Sequence, residues 1–324
     1  MEPFEVVEPQ GGESPLLVEV PHAGLWLDPE ALAFTIAPAR SIARDADLYV
    51  DRLFQDAPSE GATLVVANTS RFVVDLNRGE DDWDGEAVEG GGRAPWPRGL
   101  VWRLTTDGDP ILAERLPRRE LERRLELVYR PYHRAVEAIL ERKLARFGFA
   151  VLLCAHSMPS QGRGAHPDAG SRWGSAPNPG PAGSRWGSAS GPAGSRWGSA
   201  PNPGPAGSFR ADLVPGTRGR TTSAGVVIDR VDAHGRARGW TVRHDDPYRG
   251  GFSTAHYGKP AQGVHAVQIE IARRRYMDEA TLRIDPQGFR AVREFARTLA
   301  ARLAFSETDA PRRLLQREPA ASRT

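Results

Sequence analysis

The sequence predicts an α/β fold, a mostly parallel or mixed central sheet flanked by helices. Short apolar runs alternate with amphipathic stretches along most of its 324 residues, the pattern of strands separated by helices. Ala150–Ala155 (AVLLCA) is a continuous apolar run, which marks a strand buried on both faces, and Val264–Ala272 (VHAVQIEIA) is another candidate for a buried strand. The longest amphipathic stretch, Leu116–Phe147, repeats its apolar residues at Leu121, Leu125, Val128, Tyr132, Val136, Ile139 and Leu140, close to the helical period.

In chain order, Leu16–Val20 (LLVEV) reads as the first strand, and Ala37–Asp56 as a helix with Ile42, Leu48, Val50, Leu53 and Phe54 on its apolar side. Thr63–Ala67 (TLVVA) and Phe72–Leu76 (FVVDL) read as strands. Pro131 should kink or split the long helix, because it lacks the N–H that the helix ladder needs. Val226–Ala237 fits either a helix or a strand. Asp285–Phe305 reads as a closing helix, and the tail from 307 to 324 as loose.

One segment stands apart. Gln161–Ser208 contains no Val, Ile, Leu, Phe, Tyr or Met, and it carries a tandem repeat. AGSRWGSAPNPGP starts at Ala169, a shortened AGSRWGSASGP at Ala182, and the full version again at Ala193. Without aliphatic side chains to bury, such a segment does not offset its ordering entropy, so it is expected to be a disordered, dispensable insertion. The rest of residues 1–306 is expected to form one domain around it. The segment holds four arginines against one aspartate, so the remaining chain is slightly acidic despite a formal net charge of +2. That balance argues against nucleic acid as a partner.

A single cysteine, Cys154, excludes a disulfide framework and any multi-cysteine metal cage. No apolar run reaches the length of a membrane span, and the acidic beginning MEPFEVVEPQ lacks a basic-then-apolar signal. A cytoplasmic location is the expectation.

In open α/β sheets, ligands bind beyond the carboxyl ends of the strands. Two of the eight histidines directly follow strand-like runs: His22 in Val20-Pro21-His22-Ala23-Gly24, and His156 in His156-Ser157-Met158-Pro159. Neutral imidazole there suits zinc, and a catalytic zinc takes three protein ligands with one open position. Asp45 and Asp47 both stand before Leu48-Tyr49-Val50, and either serves as the third ligand or as a helix cap. Glu270 interrupts an otherwise apolar strand. A buried carboxylate there needs a metal, a proton to move, or an arginine to pair with. Gln268 shares its face by two-residue alternation. Arginines at 71, 78, 218, 220 and 249 are candidates for gripping a carboxylate.

These stretches together resemble the N-formylglutamate amidohydrolase family. The matching residues are VPHAG at 20–24, DADLYVDRLF at 45–54, SRFVVDLNR at 70–78, RPYH at 130–133, AHSMPS at 155–160, RADLVPGTRGRTTS at 210–223, DPYRGGFSTAHYGKP at 246–260 and GVHAVQIEIARRRYMDE at 263–279. The family is similar in architecture to zinc-dependent exopeptidases and zinc cell-wall amidases. Carried over by position, the resemblance implies His22, Asp47 and His156 as zinc ligands and Glu270 as general base. Asp47 is preferred over Asp45 because it immediately precedes LYVDRLF. Arg71, Arg78 and Arg220 would meet substrate carboxylates. The implied activity is hydrolysis of N-formyl-L-glutamate to formate and L-glutamate, a step of histidine degradation. The alternatives are another N-acyl amino acid, a peptidoglycan-type amide, or a non-catalytic binding module on the same fold. One departure concerns the substrate: family members usually carry Asn before the Pro-Tyr-Gly-Gly stretch, where this chain has Arg243-His244-Asp245-Asp246-Pro247.

Overall fold

A computed structural model of the protein describes residues 1–92, 96–162, 207–305 and 315. The expected insertion at 161–208 falls almost wholly outside them, as does most of the tail. Its two flanks are described and lie side by side: the Gly162 amide donates to the Ser208 carbonyl at 2.9 Å, and the Gly207 amide to the Gly162 carbonyl at 3.0 Å.

The elements run in the order β1 (Phe4–Val7), β2 (Leu16–Val20), α1 (Pro29–Phe34), α2 (Ala39–Asp45), α3 (Val50–Leu53), β3 (Thr63–Ala67), α4 (Arg118–Arg124), α5 (Arg130–Phe147), β4 (Ala150–Met158), β5 (Leu213–Gly216), α6 (Gly225–Arg236), α7 (Phe252–Tyr257), β6 (Val264–Ala272) and α8 (Pro286–Leu303). Six strands form one sheet in the order β1-β3-β2-β4-β6-β5. The four inner strands are parallel, and the two edges, β1 and β5, are antiparallel. Every residue of β2, β4 and β6 is buried, as continuous apolar runs require. Side chains alternate between two cores. One holds Val18, Val151, Leu153 and Val267 against α3, α6 and α8. The other holds Leu17, Leu152 and Ala266 against α4 and α5.

Several expectations need correction. The helix expected over Ala37–Asp56 is two helices, α2 and α3, with a break at Ala46–Tyr49. Arg273, just after β6, donates to the carbonyls of Arg44 and Ala46 at 2.6 and 2.7 Å, and the Asp47 amide donates to the His22 carbonyl at 2.9 Å. Backbone groups that would extend the helix are thus taken by the strand ends. Phe72–Leu76 is a run of turns, not a strand. Its Val73 amide turns back to Ser70, and its Asp75 carboxylate points inward to four donors. The long helical stretch expected over Leu116–Phe147 is divided just before Pro131 into α4 and α5. A π-helical turn at Leu125–Tyr129 lies between them, and Pro131 falls in the first turn of α5. Val226–Ala237 resolves as α6. In the expected loose tail, the one described residue, Leu315, is fully buried, and its carbonyl accepts from His265 at 2.9 Å.

Candidate active site

Two loops and two strands converge at the carboxyl end of the parallel sheet. β2 delivers His22, the break between α2 and α3 delivers Asp47, the end of β4 delivers His156, and β6 delivers Glu270, directly across the ladder from His156. The turn after β2 is possible because position 24 is glycine: a Cβ there would lie 2.3 Å from the Asn68 carbonyl oxygen.

His22, Asp47 and His156 are all buried, and one ligand atom from each falls within 4.8 Å of the others. Nδ1 of His156 lies 3.0 Å from Oδ2 of Asp47, and Nδ1 of His22 lies 3.6 Å from the same oxygen. The buried Nδ1 of His22 makes no hydrogen bond. A buried imidazole nitrogen aimed at a carboxylate, with no partner of its own, fits a metal ion, because neutral nitrogen and carboxylate oxygen are the donor set of a catalytic zinc site. The triad can hold a metal.

His22 is oriented from behind. Its Nε2–H donates to Oδ1 of Asp75 at 2.7 Å, which leaves Nδ1 as the nitrogen facing Asp47. Asp75 also accepts from Arg71 Nη2 at 2.7 Å, Trp102 Nε1 at 3.0 Å and the Asn77 amide at 2.9 Å. Burial alone would raise the Asp75 carboxyl, but the charges of Arg71, His22 and Arg78 hold it well below the usual range. Asp47 behaves likewise: burial alone would raise its carboxyl, but the hydrogen bond from His156 at 3.0 Å and the charges around it hold it below the usual range. Asp45 does not join the cluster. Its carboxylate accepts from the Thr106 amide at 2.9 Å and from the Thr106 hydroxyl.

Glu270 is 5% exposed. Burial, and then the charge of Asp47, push its carboxyl well above the usual range, against the pull of Arg71, Gln268 and Arg210. Its orientation is set by Gln268, whose Nε2 donates to it at 2.9 Å. The Gln268 amide cannot turn, because its Oε1 accepts from the Gly251 amide at 2.8 Å and from Asn77 Nδ2 at 3.3 Å. Asn77 in turn accepts from the Ser253 amide at 3.0 Å. Gly251 approaches so closely that a Cβ there would lie 2.3 Å from the Asn77 side-chain nitrogen.

The expected arginines divide. Arg71 is held against Asp75 with its guanidinium 4.3 Å from the Trp102 ring centre. Arg78 donates to the carbonyls of Arg98 and Asn77 at 3.1 and 3.0 Å. Arg220 is not gathered at the site. Its side chain is exposed and paired with Asp229 at 2.7 Å. Because β5 is antiparallel, the chain beyond Gly216 runs away from the strand mouth, and Thr222 bonds the Ala266 carbonyl. Sequence reasoning missed Asp75, Asn77, Trp102, Arg273 and Tyr248. The inward aspartate of FVVDLNR is the one signal that could have found the first two.

Fold and site together define a hydrolase-like α/β protein with a His-Asp-His metal-binding group and a buried carboxylate beside it. The N-formylglutamate amidohydrolase family matches residues 14–277, and the chain belongs to that family. It is 31% identical over 271 residues to an N-formylglutamate deformylase of Pseudomonas putida, covering 83% of this chain and 84% of the relative. It is 31% identical over 278 residues to the one from Pseudomonas aeruginosa, covering 85% and 86%. The crystal structure of N-formylglutamate amidohydrolase from Ralstonia eutropha JMP134 superimposes with a TM-score of 0.73 at 29% identity, covering 94% of this chain and 97% of that one. A gene product of Agrobacterium tumefaciens shares the fold, with a TM-score of 0.54 at 18% identity.

Proposed function

We propose that the protein is a zinc-dependent amidohydrolase that converts N-formyl-L-glutamate and water to formate and L-glutamate. The observation that carries this reading is Glu270 across the ladder from His156, beside the His22–Asp47–His156 group, in a member of a family whose relatives are named for that reaction. When bound, zinc polarises the formyl carbonyl and acidifies water. The chain's own residues do the rest. Glu270, whose carboxyl burial raises above its ordinary value, takes a proton from the attacking water and returns it to the departing glutamate nitrogen. A carbon–oxygen bond forms at the formyl carbon, the carbon–nitrogen bond breaks, and the proton ends on the amine. Gln268 and Asn77 hold the carboxylate in line. Arg71 and Arg78, two of the cations expected to meet the substrate's carboxylates, are each paired with an aspartate, Asp75 and Asp82.

No helix among the described residues is long and apolar enough to cross a membrane, and the lone thiol, Cys154, is buried and free. Both accord with action on a small molecule in the cytoplasm. The test is formate release from N-formyl-L-glutamate, N-acetyl-L-glutamate and other N-formyl amino acids, with metal content measured on the same preparation. Fastest release from N-formyl-L-glutamate, lost on chelation and restored by zinc, is the expected result. Preference for another N-acyl amino acid would overturn the substrate assignment.

A further inference from the structure

The antiparallel edge strand that carries Arg220 away from the mouth carries its other flank toward it. Leu213 pairs with Ile271, and the Ala272 amide donates to the Asp212 carbonyl at 2.9 Å. Arg210 therefore lies beyond the carboxyl end of β6, the end at which Glu270 opens. One side of its guanidinium is fixed: Nη1 donates to the Pro159 carbonyl at 3.0 Å and to the Tyr248 hydroxyl at 3.2 Å. The other side is not. Its Nε is buried and has no hydrogen-bond partner. The Nε of Arg71 is likewise buried and unpartnered, but Arg71 is ion-paired with Asp75 and Arg220 with Asp229, whereas among the described residues no carboxylate lies within ion-pair distance of Arg210. Tyr248, which accepts from Arg210, packs against Met158, Val214 and Ala272, at the ends of β4 and β6 that carry His156 and Glu270. A guanidinium held on one edge, with an unsatisfied buried donor on the other, presents the fork that grips a carboxylate with two parallel bonds.

We propose that Arg210, steadied by Pro159 and Tyr248, is the specificity-determining residue that receives one carboxylate of the N-acyl amino acid. The inference rests on the proposed amidohydrolase reading and adds what that reading lacks, a cation beside the mouth with no carboxylate partner among the described residues. It also explains why the segment RADLVPG belongs beside the site although RGR, a few residues on, does not.

The experiment compares wild type with R210M and R210K on three substrates: N-formyl-L-glutamate, its α-amide and its γ-amide. R297M, on the surface of α8 and paired with Glu60 and Glu294, is the control. A hydrogen-bonded charge pair implies at least a tenfold loss of kcat/KM for N-formyl-L-glutamate in R210M. The loss should shrink to about twofold for the one amide that lacks the carboxylate Arg210 grips, and R210K should recover part of the loss. Melting temperatures of the variants report folding. An equal loss on all three substrates would show that Arg210 acts only through Glu270 or through local packing, and would overturn the proposal. An unchanged R210M would overturn it as well. Wild type inactive on all three substrates would instead overturn the amidohydrolase reading.

Discussion

Replacing Asp75 with Asn removes one negative charge from the wall behind the metal-binding group without changing its shape. Four donors converge on this carboxylate: His22 Nε2, Arg71 Nη2, Trp102 Nε1 and the Asn77 amide. An asparagine offers one oxygen and turns an N–H toward at least one of them. Arg71 is then left buried without its ion-pair partner. Removing one member of a buried pair costs about 3–5 kcal/mol. His22 also loses the bond that fixes its tautomer. Loss of such an outer partner lowers metal affinity about 10–100-fold, roughly 1.4–2.7 kcal/mol. The assay is urea unfolding for the first quantity and zinc competition against a chromogenic chelator for the second. D45N is the comparison, because Asp45 bonds Thr106 and touches neither histidine; its zinc affinity should stay within about twofold. A D75N protein with wild-type stability and wild-type zinc affinity would refute the claim that Asp75 organises the site.

Two further outcomes follow from the buried groups and the helix ends. Glu19 is fully buried in β2, accepts from Tyr132 and Ser253 at 3.1 and 2.9 Å, and is raised above its ordinary value of 4.5 by burial. Its contribution to stability is complete below that ordinary value and is lost as pH rises through the higher folded value. Melting temperatures measured across pH should therefore fall less steeply on the alkaline side in E19Q than in wild type, and parallel profiles would contradict this. Asp285 caps α8 by accepting from the amides of Gln287 and Gly288. D285A should cost about 1 kcal/mol in denaturant unfolding with kcat unchanged, and no loss would show the cap to be idle.

The parts of the fold legible in the sequence were those where a single local rule decides. Runs such as AVLLCA and VHAVQIEIA have one reading once both faces are buried, and β4 and β6 appear where expected. The same strand ends then located His22, His156 and Glu270. Legibility failed where distant groups compete for the backbone. The amphipathic period through Ala37–Asp56 is real, but Arg273, more than 200 residues away, takes the carbonyls that would continue the helix. The resulting break is what turns Asp47 toward the histidines. FVVDL has the composition of a strand, yet Asp75 is worth more as an acceptor for His22 and Arg71 than its backbone is in a ladder. β5 has four residues, one of them Pro215, and no pattern foretold its antiparallel pairing. That pairing alone decides that Arg210 faces the mouth while Arg220 does not.

The most direct test of the account is formate release from N-formyl-L-glutamate by wild type and E270Q, with zinc content determined on both. Gln keeps the shape of Glu270 and one acceptor for Gln268 but does not take a proton. The account predicts a fall in kcat of about 10²–10⁴-fold with zinc content unchanged, since Glu270 lies outside the His22–Asp47–His156 group. A fully zinc-loaded E270Q enzyme that releases formate at close to the wild-type rate would contradict it.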